Sequence, residues 1–249
     1  MLCDNKFSDA EMEHFKTLRV CILAPIMHVE PRWVASTCEM IAYSWERGLR
    51  INKFGMTERL AVDWARNALA RAAVEFKYND EYFTHFLWLD SDHVFHPDLC
   101  CQLARHNVDM VSAVYHHRSG PPFPVAYVKT DDCAEDGFLH HPLMEIPTAL
   151  VEVDAVGFGV MLMKRDVFLR VPEPWFTIDY RAGEDIAFCK KAKDFGVTVH
   201  LDGGYSVGHI GVAPILDCKT YADWTAANPD KAAKRIAVRL NGMMPVAKP

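Results

Sequence analysis

Apolar positions along the chain fall into short unbroken runs separated by amphipathic stretches. Residues 18–25 (LRVCILAP) are almost continuously apolar and stop at a proline, as a strand buried on both faces would. A helix-period stretch follows over 33–46, then a strand over 49–54, and Thr57 with Glu58 opens a second helix expected to run to residue 77. Residues 85–90 (HFLWLD) give the sharpest boundary, an apolar run that ends abruptly at an acid. A helix over 97–106 and a strand over 110–115 continue the alternation of strand and helix. That order predicts an α/β fold with a mainly parallel sheet, in which right-handed crossovers bring strand carboxyl ends to one edge.

From Arg118 to Pro147 the composition shifts to proline, glycine, histidine and acid, which reads as surface and active-site loop with a hairpin near 125–129. Order returns over 151–163, an apolar run interrupted by Gly157 and Gly159, and a short helix follows over 165–171. Gly183-Glu184-Asp185 opens another helix that Gly196 ends, and 197–201 is a further strand. With no internal repeat and no linker, we expect one domain over 18–215, an N-terminal extension over 1–17 and a helical tail over 216–249.

Half of the residues are hydrophobic, enough for a sizeable core, and the formal charge of -6 removes any global attraction to polyanions. A basic binding surface would have to be local. The eight cysteines lack paired ligand spacing and read as small buried hydrophobes of a reducing compartment. Residues 1–17 are polar, without the apolar segment of a secretory signal, and no run approaches the roughly 18 apolar residues of a membrane span, so the expected location is cytoplasmic.

Asp90-Ser91-Asp92 carries the strongest chemical signal. Two acids one residue apart at a strand end share a side and can hold a hard cation together, Mg²⁺ or Mn²⁺, whose remaining oxygen ligands come from a diphosphate. Asp-Ser-Asp is also an ordinary turn and capping sequence. In Gly183-Glu184-Asp185 the acids suit a helix N-terminus without any function; the functional reading makes Asp185 a general base and Glu184 its acceptor-orienting neighbour. His209, flanked by glycines after the last core strand, is either a core histidine or a further ligand. The pairs His116-His117 and His140-His141 lack ligand spacing. Arg66-Asn67 could reach a nucleotide or form a solvated helix face, and Gly157 could allow close backbone approach to a sugar.

In order and spacing, LRVCILAP, WARNALARAA, HFLWLDSDHVFHPDL, VSAVYHHRSGPPFPV, VDAVGFGVMLMKRDVF, GEDIAFCKKAKDFGV and VGHIG resemble short single-domain GT-A glycosyltransferases of bacteria and phages, related to family 2. The resemblance spans 18–211. It implies Asp90 and Ser91 beside the nucleotide ribose or metal-bound water, Asp92 and His209 as metal ligands with Asp90 in the same site, and Asp185 as the base of an inverting displacement. Pro25, Arg66 and Asn67 would fall on the nucleotide side. The implied donor is a nucleotide-sugar, UDP-sugar first, although the family's acidic residue after the second strand is not evident. A ligating histidine also occurs in retaining members. The implied acceptor is a glycan or a hydroxymethylated base in phage DNA, with Lys190, Lys191, Lys193 and the basic tail as strand contacts. A nucleotidyltransferase would share the paired acids, but residues 24–27 (APIM) are not its basic glycine-rich loop; a non-catalytic nucleotide- or carbohydrate-binding protein is the other alternative.

Overall fold

The structure, a computed structural model, describes residues 7–118, 120–129, 140–178, 182–211 and 217–230. The basic tail residues Lys231, Lys234, Arg235 and Arg239 lie outside them. In chain order the elements are α1 (Asp9–Lys16), β1 (Arg19–Ile26), α2 (Pro31–Glu46), β2 (Arg50–Glu58), α3 (Val62–Glu75), β3 (Lys77–Tyr78), β4 (Glu81–Tyr82), β5 (His85–Leu89), β6 (His93–Val94), α4 (Leu99–Ala104) and β7 (Met110–Val114). They continue with β8 (Ala126–Val128), β9 (His141–Pro142), β10 (Leu150–Glu152), β11 (Ala155–Val156), β12 (Val160–Lys164), α5 (Arg165–Arg170), α6 (Glu184–Asp194), β13 (Val199–Ser206), β14 (Gly208–His209) and α7 (Cys218–Ala227).

Seven strands form the main sheet in the order β10-β13-β7-β12-β5-β1-β2. β1 pairs in parallel with β2 and β5, and β13 with β7, while β12 runs antiparallel to both β5 and β7 and β10 antiparallel to β13. The sheet is therefore mixed and mainly parallel, as expected, but not every carboxyl end shares one edge.

Period-two alternation within the buried strands builds two cores. Cys21, Leu23, Phe86, Trp88, Met161 and Met163 face one side, where α3, α5 and α6 bring Leu69, Phe168 and Phe188. Val20, Ile22, Ala24, Leu87, Leu89 and Leu162 face the other, against Phe15 of α1, Met40 of α2 and Leu103 of α4. Helices on both faces explain why β5 and β7 are buried at every position. Each fully buried large side chain in these layers contributes roughly 1.5–3 kcal/mol.

Several boundaries differ from the sequence reading for identifiable reasons. β2 extends to Glu58 because pairing with β1 continues through Pro25↔Thr57 and Ile26↔Glu58; Thr57 and Glu58 are strand, and α3 starts at Val62. The 151–163 run is three strands, since the chain leaves the main sheet for a small one, β11-β8-β9, and returns as β12. That small sheet also replaces the hairpin expected near 125–129, β8 pairing with the distant β9 and β11. The extension contains α1, closed by a Ser8–Glu11 capping box and tied to α4 by an ion pair from Arg105 Nε to Glu11 (2.7 Å). Cys21, Cys100, Cys101 and Cys189 are buried as expected, but Cys38 and Cys218 are exposed.

Gly157 sits in the β11–β12 turn under Tyr115. A Cβ there would lie 2.0 Å from the Tyr115 hydroxyl and 2.6 Å from Val125 Cγ1. Gly157→Ala is expected to destabilise the fold by about 1–3 kcal/mol, measured by urea unfolding, because Tyr115 has no room to retreat.

Candidate active site

β1, β2, β5 and β7 run the same way, and their carboxyl ends open on a cleft of about 730 Å³. Its walls include Pro25 at the end of β1 and Met27 after it, Leu60 after β2, Asp90, Ser91 and Asp92 after β5, and Tyr115 and Arg118 after β7. Asp185 from the first turn of α6 and His209 from β14 complete it. This is the switch-point edge at which open α/β sheets bind ligands.

β6 and β14 pair antiparallel with His93 opposite His209, so the two imidazoles stack with centroids 4.3 Å apart. The Asp92 carboxylate faces one nitrogen of each ring: Oδ2 is 3.3 Å from His209 Nε2, and Oδ1 is 3.3 Å from His93 Nδ1. One ligand atom from each of Asp92, His93 and His209 falls within a 4.8 Å group. His209 Nδ1 donates to the His116 carbonyl at 2.7 Å, which turns the other ring nitrogen toward Asp92. Both ring nitrogens of His93 are buried without a hydrogen-bond partner among the described residues. An oriented imidazole, an unpartnered imidazole and a carboxylate are a fitting donor set for a divalent cation. Burial works to raise the Asp92 carboxyl, but His209 and His93 beside it hold it well below the ordinary carboxylate range.

Asp90 does not join this cluster. β5 ends at Leu89, so strand alternation does not carry through the Asp90-Ser91-Asp92 turn, and the Asp90 carboxylate accepts from Arg66 Nη2 at 3.2 Å. Ser91 donates its hydroxyl to the His28 carbonyl, fastening the turn to the segment after β1.

Arg66 is a strut beneath the cleft rather than part of its wall. Its side chain is 3% exposed and joins Asp90 to Glu184, whose Oε1 accepts from Nε at 2.9 Å. Burial disfavours the guanidinium charge, yet the carboxylates of Asp90 and Glu184 raise its pKa above the ordinary value. Arg66→Ala is expected to cost about 3–5 kcal/mol in urea unfolding, because it strands the buried Glu184 carboxylate. Glu184 is thus occupied within the fold, and its neighbour Asp185 faces the cleft. Burial, and then repulsion from Glu184, push the Asp185 carboxyl up to about 6 from 3.8, although Arg66 pulls the other way.

Asn67 and Gly157 also lie off the cleft wall. Asn67 Oδ1 accepts from the backbone of Trp175 and Phe176, and Nδ2 donates to Asp63 and Phe176 carbonyls, so the amide is spent on holding that loop. Gly157 makes its close approach to Tyr115 and Val125.

No protein-family model matches the sequence, and no curated protein does. Among solved structures, the fold is similar to that of A197 from STIV, with a TM-score of 0.54, 18% identity, and 78% of this chain and 86% of that one covered. A looser alignment, with a TM-score of 0.42 and 12% identity, covers 87% of this chain and 49% of GalNAc-T7, solved with UDP, GalNAc and Mn²⁺. Among the described residues no helix is long and apolar enough to cross a membrane.

Sequence reasoning missed His93, Tyr115 and Arg118. His93 directly follows the acidic pair, but only its pairing with His209 reveals it as a partner. Tyr115 is buried with its hydroxyl accepting from Gly159 N–H at 3.0 Å, and its β7 run carried no polar signal beyond the strand end.

Proposed function

We propose that this chain is a divalent-cation-dependent GT-A glycosyltransferase that moves a sugar from a nucleotide donor, UDP-sugar first, to an acceptor hydroxyl. The observation supporting it is that one cleft holds both the Asp92–His93–His209 cluster and Asp185, a carboxylate whose raised pKa suits a general base near neutrality.

Asp92 and His209, with His93 behind them, would hold Mn²⁺ or Mg²⁺, which supplies charge neutralisation to the departing diphosphate. Asp90 and Ser91 would face the ribose, and Pro25, Met27 and Leu60 would bound the base and ribose end of the cleft. Glu58, exposed at the end of β2, would be the candidate for the acid that the resembled family carries after its second strand. Asp185 would accept the proton of the attacking hydroxyl, which makes single-displacement inversion the favoured outcome. Glu184 and Arg66 would hold Asp185 and Asp90 in position, and Asn67 would act through the Trp175–Phe176 loop rather than on the nucleotide.

For the acceptor, a glycan hydroxyl comes ahead of a modified DNA base. Lys191 donates to the Pro172 and Pro174 carbonyls and Lys193 to Asp154, so two of the three lysines assigned to a nucleic-acid strand are engaged within the fold.

The test is a panel of UDP-, GDP- and TDP-sugars assayed for hydrolysis and transfer with and without Mn²⁺. The reading expects one nucleotide class to turn over only with the cation; binding without turnover across sugar and hydroxymethylated-DNA acceptors would favour a non-catalytic binding protein.

A further inference from the structure

Arg118 stands in an unusual relation to the cation-binding cluster. Its Nη1 donates to Asp92 Oδ2 at 2.6 Å, the same oxygen that His209 Nε2 approaches at 3.3 Å. A guanidinium therefore covers one of the two Asp92 oxygens, the one nearer His209, and an ion shared between that oxygen and His209 would compete with it. The Arg118 side chain is 62% exposed, whereas Asp92 is 22% exposed. Arg118 is thus an exposed cation on a largely buried carboxylate.

The loop that carries it is well anchored. His117 N–H donates to the Phe123 carbonyl at 2.9 Å, and Val125 N–H to the Tyr115 carbonyl at 2.9 Å. His116 bridges to Pro124 and gives its carbonyl to His209, while its ring stacks on Tyr221 of α7 at 5.2 Å. The backbone two residues before Arg118 is held against the Asp92–His93–His209 cluster, and a change of partner by Arg118 needs only side-chain rotation. Charge supplies the second observation. The described cleft wall carries four carboxylates, Glu30, Asp90, Asp92 and Asp185, and Arg118 as its one lysine or arginine. Arg66, nearby, is buried and already committed to Asp90 and Glu184. A diphosphate entering an acidic cleft would meet one exposed guanidinium, whose planar set of N–H donors matches phosphate oxygens.

We propose that Arg118 is a donor-binding residue that exchanges partners: it guards Asp92 in the free protein and turns to the donor's diphosphate once a divalent ion takes the Asp92 oxygen. This rests on the glycosyltransferase reading of the same cleft. The exchange makes cation and nucleotide binding cooperative. Without nucleotide, Arg118 competes with the ion for Asp92; with nucleotide, the displaced guanidinium gains a dianionic partner.

The experiment compares the native chain with Arg118→Gln and Arg118→Lys, each checked for an unchanged thermal unfolding midpoint, and titrates three probes. Mn²⁺ alone, followed by paramagnetic resonance of the free ion, is expected to bind Arg118→Gln about fivefold more tightly, the scale of one exposed ion pair. UDP at saturating Mn²⁺ is expected to bind that variant about tenfold more weakly, as for loss of a charge-assisted contact. UMP should change little, since it lacks the second phosphate. Arg118→Lys, which keeps the charge, should recover part of both effects. Opposite signs for Mn²⁺ and UDP are what partner exchange requires. If both affinities fall together, or neither moves, Arg118 is a structural or surface group and the proposal is wrong. If the native chain binds neither Mn²⁺ nor UDP, the glycosyltransferase reading falls, and this proposal with it.

Discussion

Asp185→Asn is expected to lower sugar transfer by about a thousandfold, the middle of the range for loss of a general base, while leaving Mn²⁺-dependent UDP binding nearly unchanged. The same substitution is expected to stabilise the fold at neutral pH. Burial and Glu184 raise the Asp185 carboxyl from 3.8 to about 6, so between those values the folded chain binds more protons than the unfolded one. Stability from this group is then full at low pH and is lost as pH rises through that window. A rise of that size corresponds to about 3 kcal/mol at most. The stability difference between Asp185→Asn and the native chain should therefore be small at pH 4 and grow to its plateau above pH 7, read by urea unfolding at both. For the proposed sugar transfer by the native chain, kcat/KM should rise with pH through about 6, as Asp185 loses its proton. Loss of UDP binding along with transfer would assign Asp185 to the donor instead of the acceptor.

The second large effect concerns Asp92. Asp92→Ala removes the one carboxylate of the Asp92–His93–His209 cluster, leaving two stacked imidazoles. Mn²⁺ affinity is expected to fall by about a hundredfold or more, and turnover by at least as much, since the leaving diphosphate loses its counter-charge. Arg66→Ala, by contrast, should damage stability first, because Arg66 lies beneath the cleft and its loss strands the buried Glu184 carboxylate. The ratio of lost activity to lost stability thus separates the residues that face substrate from those that hold them.

Much of the sheet was legible because buried strands announce themselves as unbroken apolar runs. β1, β5 and β7 match their expected ranges within a residue or two, and the acid closing β5 marked the cleft from sequence alone. What escaped was set by pairing between distant segments. β2 runs four residues past its apolar run because β1 offers hydrogen-bond partners as far as Glu58. Asp90 and Asp92 point to different partners because the strand ends between Leu89 and Asp90, a boundary that period-two reasoning ran past. His93 was unreadable for a related reason. A single buried histidine has no ligand signature, and only the β6–β14 register places it against His209. Arg66, Asn67 and Glu184 were singled out for their polarity, yet each meets its needs inside the fold. Polar side chains in a helix mark a constraint without saying whether it is structural or chemical.

The central claim is that Asp92 and the two histidines hold a divalent ion beside the donor's diphosphate. Electron spin echo modulation of Mn²⁺ bound with UDP tests it most directly. The account predicts ¹⁴N couplings from imidazole together with ³¹P couplings from the diphosphate, the nitrogen signals weakened in His209→Ala and absent when His93→Ala is added. Mn²⁺ and UDP bound with phosphorus couplings alone, and no imidazole nitrogen, would contradict it.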